Sequence, residues 1–215
     1  MGSIKIIIGP MFSGKTSMLI DLYNKQKKTT QNNYNCYDYN SPTNTILAIN
    51  YDKDIRYGEN KIVSHDGQEI NCISINNLNE LYHSESDKQL LISAKYIFIN
   101  EAQFFQNLKY WVLNQVENHN KNIILCGLDS DFKRDKFGEL LDLIPHADSL
   151  IKLYGKCSNC NNKSLYTYRI SSETTQEVIG SDNYIPVCRK CYIKAIRRQS
   201  SKLSLQPQKK LECNP

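Results

Sequence analysis

The chain lacks any apolar run near the roughly 20 residues that a membrane-spanning helix requires, which excludes a bilayer span of that kind. Its first apolar residues run straight into a glycine-rich turn, so they are not expected to act as a secretory-type leader. The expectation is a soluble, cytoplasmic protein with no membrane partner. There is no dense block of like charge either. Lys and Arg number 27 against 22 Asp and Glu, a net charge of +5, spread along the chain with a modest cluster from Arg189 to Lys210. That field suits a phosphorylated ligand, while no basic, aromatic-lined groove stands out to track a nucleic acid. The eight cysteines do not read as a disulfide framework. Four sit in two Cys-x-x-Cys pairs and Cys36, Cys72, Cys126 and Cys213 are scattered, a usage that points to metal in a reducing compartment. The 215 residues suffice for one α/β domain with a small appendage and a core that folds without staples.

What is present is organised around Gly9-Pro10-Met11-Phe12-Ser13-Gly14-Lys15-Thr16, directly after the apolar run Ile4-Lys5-Ile6-Ile7-Ile8. A glycine, four residues and then Gly-Lys-Thr lets several backbone N–H groups curl round a nucleotide's phosphates. Lys15 places an ammonium on the outer phosphates, and the Thr16 hydroxyl can join the shell of Mg²⁺. The context fits, with a buried-type strand leading in and Thr16 to Tyr23 leading out as a helix whose positive end faces the anion.

Downstream, Thr29 to Thr45 is polar and reads as an exposed insert. Thr45 to Ile49 reads as an interior strand that delivers Asp54 and Arg56 to the sheet edge where ligands collect. There they are candidates for a metal-linked carboxylate and a phosphate clamp, or simply a loop of alternating charge. Ser64-His65-Asp66-Gly67 reads as a turn, with His65 and Asp66 a structural pair. Ile75 to Leu91 is helical in part, and Tyr96 to Ile99 is a strand ending in Asn100-Glu101. At that tip a carboxylate is expected for Mg²⁺, and Asn100 cannot supply one, so Glu101 is the anion left in place. Leu108 to Asn118 reads as a helix with Trp111 in the core. Asn122 to Gly127 and Leu150 to Leu153 read as further strands. Strands and helices in alternation imply a parallel sheet with helices on both faces.

Cys157-Ser158-Asn159-Cys160 and Cys188-Arg189-Lys190-Cys191 have the spacing of two knuckles that close a structural Zn²⁺ site. A redox dithiol is the alternative for either pair alone. The 27 residues between them, Asn161 to Val187, become a stapled loop. It could close over a small planar ligand or be a hairpin with no ligand.

The ordered series Gly-Pro-Met-Phe-Ser-Gly-Lys, Asp-Lys-Asp-x-Arg-Tyr, Glu-x-Gln-Phe-Phe, Phe-Lys-Arg-x-x-Phe-Gly, Tyr-Thr-x-Arg, Val-Ile-Gly and the two Cys-x-x-Cys pairs resembles the thymidine kinases of the cellular, zinc-containing type, from about Ile4 to about Lys194. The resemblance implies a RecA-like P-loop α/β domain over 1–153 and a zinc-binding lasso over 154–194; the residues beyond it, 195–215, are expected as a flexible C-terminal tail. It implies ATP-dependent phosphorylation of the 5′-hydroxyl of thymidine and deoxyuridine, with Glu101 as base and Lys15 and Arg56 neutralising the transferred phosphoryl. ATP and Mg²⁺ would be held by Gly9, Pro10, Met11, Phe12, Ser13, Gly14, Lys15, Thr16, Asp54, Asn100 and Gln103. The thymine pocket would be Met11, Phe104, Leu128, Phe132, Phe137, Thr167, Val178, Ile179, Gly180 and Tyr184. Family members are typically homotetramers inhibited by thymidine triphosphate. The family usually carries aspartate where this chain has Asn100, which predicts weaker Mg²⁺ binding, with Asp54 taking more of the load. The competing readings are a kinase of another nucleoside, a P-loop ATPase acting on nucleic acid, and a zinc-ribbon binding module.

Overall fold

The computed structural model describes residues 1–32, 45–53, 60–171, 173, 175–176 and 181–204. Strand β1 (Ser3–Gly9) buries side chains on both faces, which its run of isoleucines allows. It feeds α1 (Lys15–Asn32), whose Leu19 and Ile20 pack under the sheet at about 1.5–3 kcal/mol of burial each. Strand β2 (Thr45–Tyr51) follows, then a small hairpin of β3 (Lys61–Val63) and β4 (Glu69–Asn71), then β5 (Ile73–Ile75). After a 3₁₀ turn over Leu78–Tyr82 come α2 (Glu85–Ser93), β6 (Ala94–Ile99), α3 (Leu108–Glu117) and β7 (Asn122–Leu128). Strand β8 (Ser149–Lys152) closes the main sheet, whose order is β5-β2-β6-β7-β1-β8 with every pairing parallel.

The two faces bury separate clusters. Ile7, Leu19, Ile20, Ala48, Phe98 and Ile124 pack on the α1 side. Leu81, Leu91, Leu108, Trp111, Val112, Ile97 and Leu125 pack on the α2 and α3 side. This is the expected sheet with helices on both faces. One polar fixture sits at the sheet edge far from the glycine loop. Lys121 is buried and donates to the carbonyls of Leu91 (3.0 Å), Ile92 (2.6 Å) and Ala94 (2.6 Å), capping the end of α2. At the opposite end, Glu139 accepts from the N–H groups of Asn107 and Lys109 and so caps the start of α3.

A smaller unit follows. Strands β9 (Gly155–Lys156) and β10 (Lys163–Ser164) form one antiparallel pair, and β11 (Tyr166–Arg169) and β12 (Tyr184–Val187) another, before α4 (Arg189–Ser204). Two expectations shift at the ends of elements. Helix α1 runs to Asn32, so the polar insert starts later than Thr29, and α4 continues through residues 195–204, the first part of the stretch expected as a flexible tail. The three-residue edge strand β5 carries too little pattern to be seen in sequence. Ser64 to Gly67 does form a turn, the Gly67 N–H donating to the Ser64 carbonyl. Its histidine lies 5.5 Å from the Phe12 ring, while Asp66 accepts from the Ser17 hydroxyl at 3.0 Å. Among the described residues no helix is long and apolar enough to cross a membrane.

Candidate active site

The register sets the site. Gly9 lies beside Leu128, and Ile99 beside both Leu125 and Ile49, so the tips of β1, β7, β6 and β2 share one edge. A single strand, β7, separates the glycine loop from Glu101, a spacing of roughly 10 Å across the sheet. The loop is built for close approach. A Cβ on Gly9 would lie 2.6 Å from the Leu153 carbonyl oxygen. Gly14 has φ +82° with nothing within 4 Å of where its Cβ would stand, so it supplies a left-handed turn facing open space. Lys15 is buried and donates to the Pro10 carbonyl at 2.8 Å, folded over its own loop. The Ser13 hydroxyl oxygen is buried with no hydrogen-bond partner, the kind of orphan that a phosphate oxygen would satisfy.

At the tips of β2, β6 and β7 a buried polar chain forms. The Cys126 thiol donates to Asn100 Oδ1 (3.0 Å), and Asn100 Nδ2 donates to Asn50 Oδ1 (2.9 Å). Asn100 therefore ties three strands together and has one carbonyl lone pair already engaged. Glu101 follows in the left-handed region at φ 49°, ψ 41°, a conformation that costs a non-glycine residue about 1–2 kcal/mol. Its Oε2 accepts from Gln103 Nε2 at 2.7 Å.

Aromatic rings gather beside this edge in two groups. Phe104 stacks on Tyr51 (4.8 Å between ring centres, 17° between planes) and meets Phe137 edge-on at 5.2 Å. Phe132 lies under the Arg169 guanidinium at 3.7 Å, and that guanidinium also sits 5.0 Å from the Tyr184 ring. The stapled loop is anchored to the glycine loop directly, the Met11 N–H donating to Thr167 Oγ1 at 3.0 Å. Tyr192 OH donates to the Phe132 carbonyl (2.9 Å), and Gln176 donates to Asp131 (3.0 Å).

Arg169 is the hub of that loop. Its Nη1 donates to the carbonyls of Glu173 (3.1 Å) and Thr175, and its Nη2 to the Gln176 carbonyl (2.9 Å) and Tyr184 OH (2.5 Å). The four knuckle thiols converge, with all Sγ atoms of Cys157, Cys160, Cys188 and Cys191 within 4.8 Å of one another and Cys160 3.5 Å from both Cys188 and Cys191. A Zn²⁺ with bonds of about 2.3 Å needs sulfurs about 3.8 Å apart, so the quartet fits a closed structural site. Burial would raise the Cys157 thiol, but backbone N–H groups of Cys188, Asn159 and Cys160 outweigh it and hold it at about 6. Hydrogen bonding to Cys160, then burial, pushes Cys191 up to about 12.

The thymidine kinase family model matches residues 2–192. The chain belongs to the thymidine kinase family. Thymidine kinase of Yaba monkey tumor virus is 37% identical over 194 residues, covering 90% of this chain and 96% of that protein. Rice thymidine kinase (Oryza sativa subsp. japonica) is 36% identical over 193 residues, covering 89% of this chain and 66% of the rice protein. The cytosolic thymidine kinase of Gallus gallus is 33% identical over 192 residues, 89% of this chain and 77% of that one.

Within this thymidine kinase family chain, the residues singled out from sequence fall into three sets. Met11 and Thr167 are joined by a hydrogen bond, Phe104 and Phe137 touch, and Phe132 and Tyr184 meet through Arg169. Leu128 enters through its N–H, which Gln103 accepts. Asp54, Arg56, Val178, Ile179 and Gly180 lie outside the described residues. Tyr51 and Asp131 were not singled out, and Arg169 enters the sequence reading only as the last residue of the Tyr-Thr-x-Arg motif, with no role of its own. Tyr51 falls just past the apolar run that reads as a strand, and the partners of Arg169, backbone carbonyls and the Tyr184 hydroxyl, leave no mark in a sequence.

Proposed function

We infer that the protein transfers the γ-phosphoryl group of ATP to the 5′-hydroxyl of thymidine, and of deoxyuridine, in nucleotide salvage. The observation that carries the reading is the convergence of the Lys15 glycine loop and Glu101 on one sheet edge, with one strand between them, in a chain of the thymidine kinase family. The thymidine 5′-oxygen attacks the γ-phosphorus, the bond from that phosphorus to the β-bridging oxygen breaks, and ADP leaves. Glu101 takes the hydroxyl proton. Lys15 and Arg56 offset charge on the transferred group, and the Ser13 hydroxyl and loop N–H groups hold the outer phosphates. Thr16 and Asp54 would hold Mg²⁺, which neutralises charge on the β- and γ-phosphates when bound. Phe104, Phe132, Phe137 and Tyr184 enclose the base, and the segment 178–180 reads its edge. Cys157, Cys160, Cys188 and Cys191 would hold a Zn²⁺ that fixes the lasso carrying that segment. Assembly as a homotetramer, inhibition by thymidine triphosphate and a cytoplasmic location belong to the same reading and rest on family likeness.

Radiolabel transfer from ATP to each common nucleoside tests it. Thymidine and deoxyuridine accept label, other nucleosides do not, and Glu101→Gln loses about a hundredfold or more, the usual weight of a general base. Full activity in that variant removes Glu101 from the role, and preferential labelling of another nucleoside removes the substrate. DNA titration at two salt concentrations detects no salt-steep binding, the signature of a nucleic-acid ATPase or ribbon module.

A further inference from the structure

Gln103 carries an unusual amount of structure for one buried amide. Its Oε1 accepts from the Leu128 N–H at the tip of β7 (3.0 Å), and its Nε2 donates to Glu101 Oε2 (2.7 Å). Both ends of the carboxamide are thus engaged, and the side chain is only 2% exposed. Two glycines make room for it. A Cβ on Gly127 would stand 2.4 Å from Gln103 Oε1, and a Cβ on Gly138, which sits at φ +62°, would stand 2.0 Å from the Gln103 carbonyl oxygen. Strand β7 and the Glu101 turn are therefore shaped around its side chain, and the loop ending at Gly138 packs against its backbone carbonyl.

We propose that Gln103 is the positioning residue of the base, a rigid link that transmits the fixed place of β7 to the Glu101 carboxylate and not a contact to the nucleotide. This rests on the reading of Glu101 as base. The reasoning is mechanical. Glu101 stands on a left-handed residue and its side chain has several rotatable bonds, so its backbone alone does not fix the carboxylate. A donor anchored at its far end to a sheet amide removes that freedom. Loss of the link should slow proton transfer with little effect on how tightly either substrate binds.

The test is a double-mutant cycle in the full-length, metal-loaded protein. Gln103→Met removes both hydrogen bonds at nearly constant volume. Gln103→Glu keeps the acceptor for Leu128 N–H but loses the donor to Glu101, so it serves if the first variant folds poorly. Either change is expected to lower kcat about tenfold, the KM values for thymidine and ATP staying within about threefold, and to have no further effect in the Glu101→Gln background. An unchanged kcat overturns the proposal, and so does an equal loss in both backgrounds, which would mark Gln103 as a general structural residue. Full activity in Glu101→Gln alone sinks the reading beneath it and is distinguished from both, because it appears without any change at Gln103.

Discussion

Arg169 is the residue through which the lasso is most open to a quantitative test. The perturbation is Arg169→Met, which keeps the bulk of the stem and removes the charge, four donated hydrogen bonds and the planar face over Phe132. Bonds from a charged donor are worth about 1.5–3 kcal/mol each, but the carbonyls of Glu173, Thr175 and Gln176 regain water when the loop lifts, so one to two bonds survive as net cost. With a desolvated cation–aromatic contact of about 2 kcal/mol partly included, the penalty is about 2–4 kcal/mol. It falls on the closed lasso and not on the sheet, whose two core clusters do not include Arg169. Steady-state kinetics should therefore show kcat/KM for thymidine lowered about 30-fold to 1,000-fold, with KM for ATP little changed. Limited proteolysis should show new cleavage within residues 170–184. Arg169→Lys recovers part of the loss, since an ammonium supplies three donors and no planar fork. Wild-type kcat/KM together with a wild-type cleavage pattern in Arg169→Met would refute the reasoning.

Three further outcomes are expected. Asn100→Asp places a carboxylate where Cys126 already donates and Asn50 can turn its amide to donate, so half-saturating Mg²⁺ in the kinase assay should fall by about threefold or more, as an added carboxylate implies; no fall would show that Asn100 does not act on the metal. A strong chelator, or Cys188→Ser, should abolish thymidine phosphorylation while far-ultraviolet circular dichroism changes little, and readdition of Zn²⁺ should restore the chelated protein. Lys121→Met strands three carbonyls at the end of α2 and should cost about 1–3 kcal/mol in urea titration. Burial, with Lys95 adding to it, lowers the Lys121 ammonium below its ordinary range. The unfolded chain thus binds the extra proton between the folded and ordinary lysine values, wild-type stability gains across that alkaline window, and the gap to the variant should widen there.

Much of the fold was legible because the strands that matter are continuous apolar runs ending in polar tips. Ile4 to Ile8, Tyr96 to Ile99 and Asn122 to Gly127 announce themselves, and the turn chemistry at Gly14 and the Cys-x-x-Cys spacing name their own ligands. What stayed hidden depends on distance along the chain. The Cys126–Asn100–Asn50 bonds join tips of three strands, and no local pattern marks an asparagine as part of a buried chain. Gln103 reads from resemblance as a nucleotide contact, and only the folded register shows its amide spent between Leu128 and Glu101. Gly138 is a motif glycine whose reason, the Gln103 carbonyl against its Cα, lies far away in sequence.

Among the described residues, the lasso's buried apolar cluster is four side chains, Cys157, Val187, Cys188 and Tyr192, and two of them are thiols. So small a nucleus holds no shape by oil alone, and it follows the last strand of the main sheet in chain order. Maturation would then have two stages. The emerging polypeptide would complete its sheet first, with a formed phosphate cradle, and would become a catalyst only on capturing an ion. Newly made molecules in a zinc-starved cell would accumulate intact and silent, awaiting supply and needing no resynthesis.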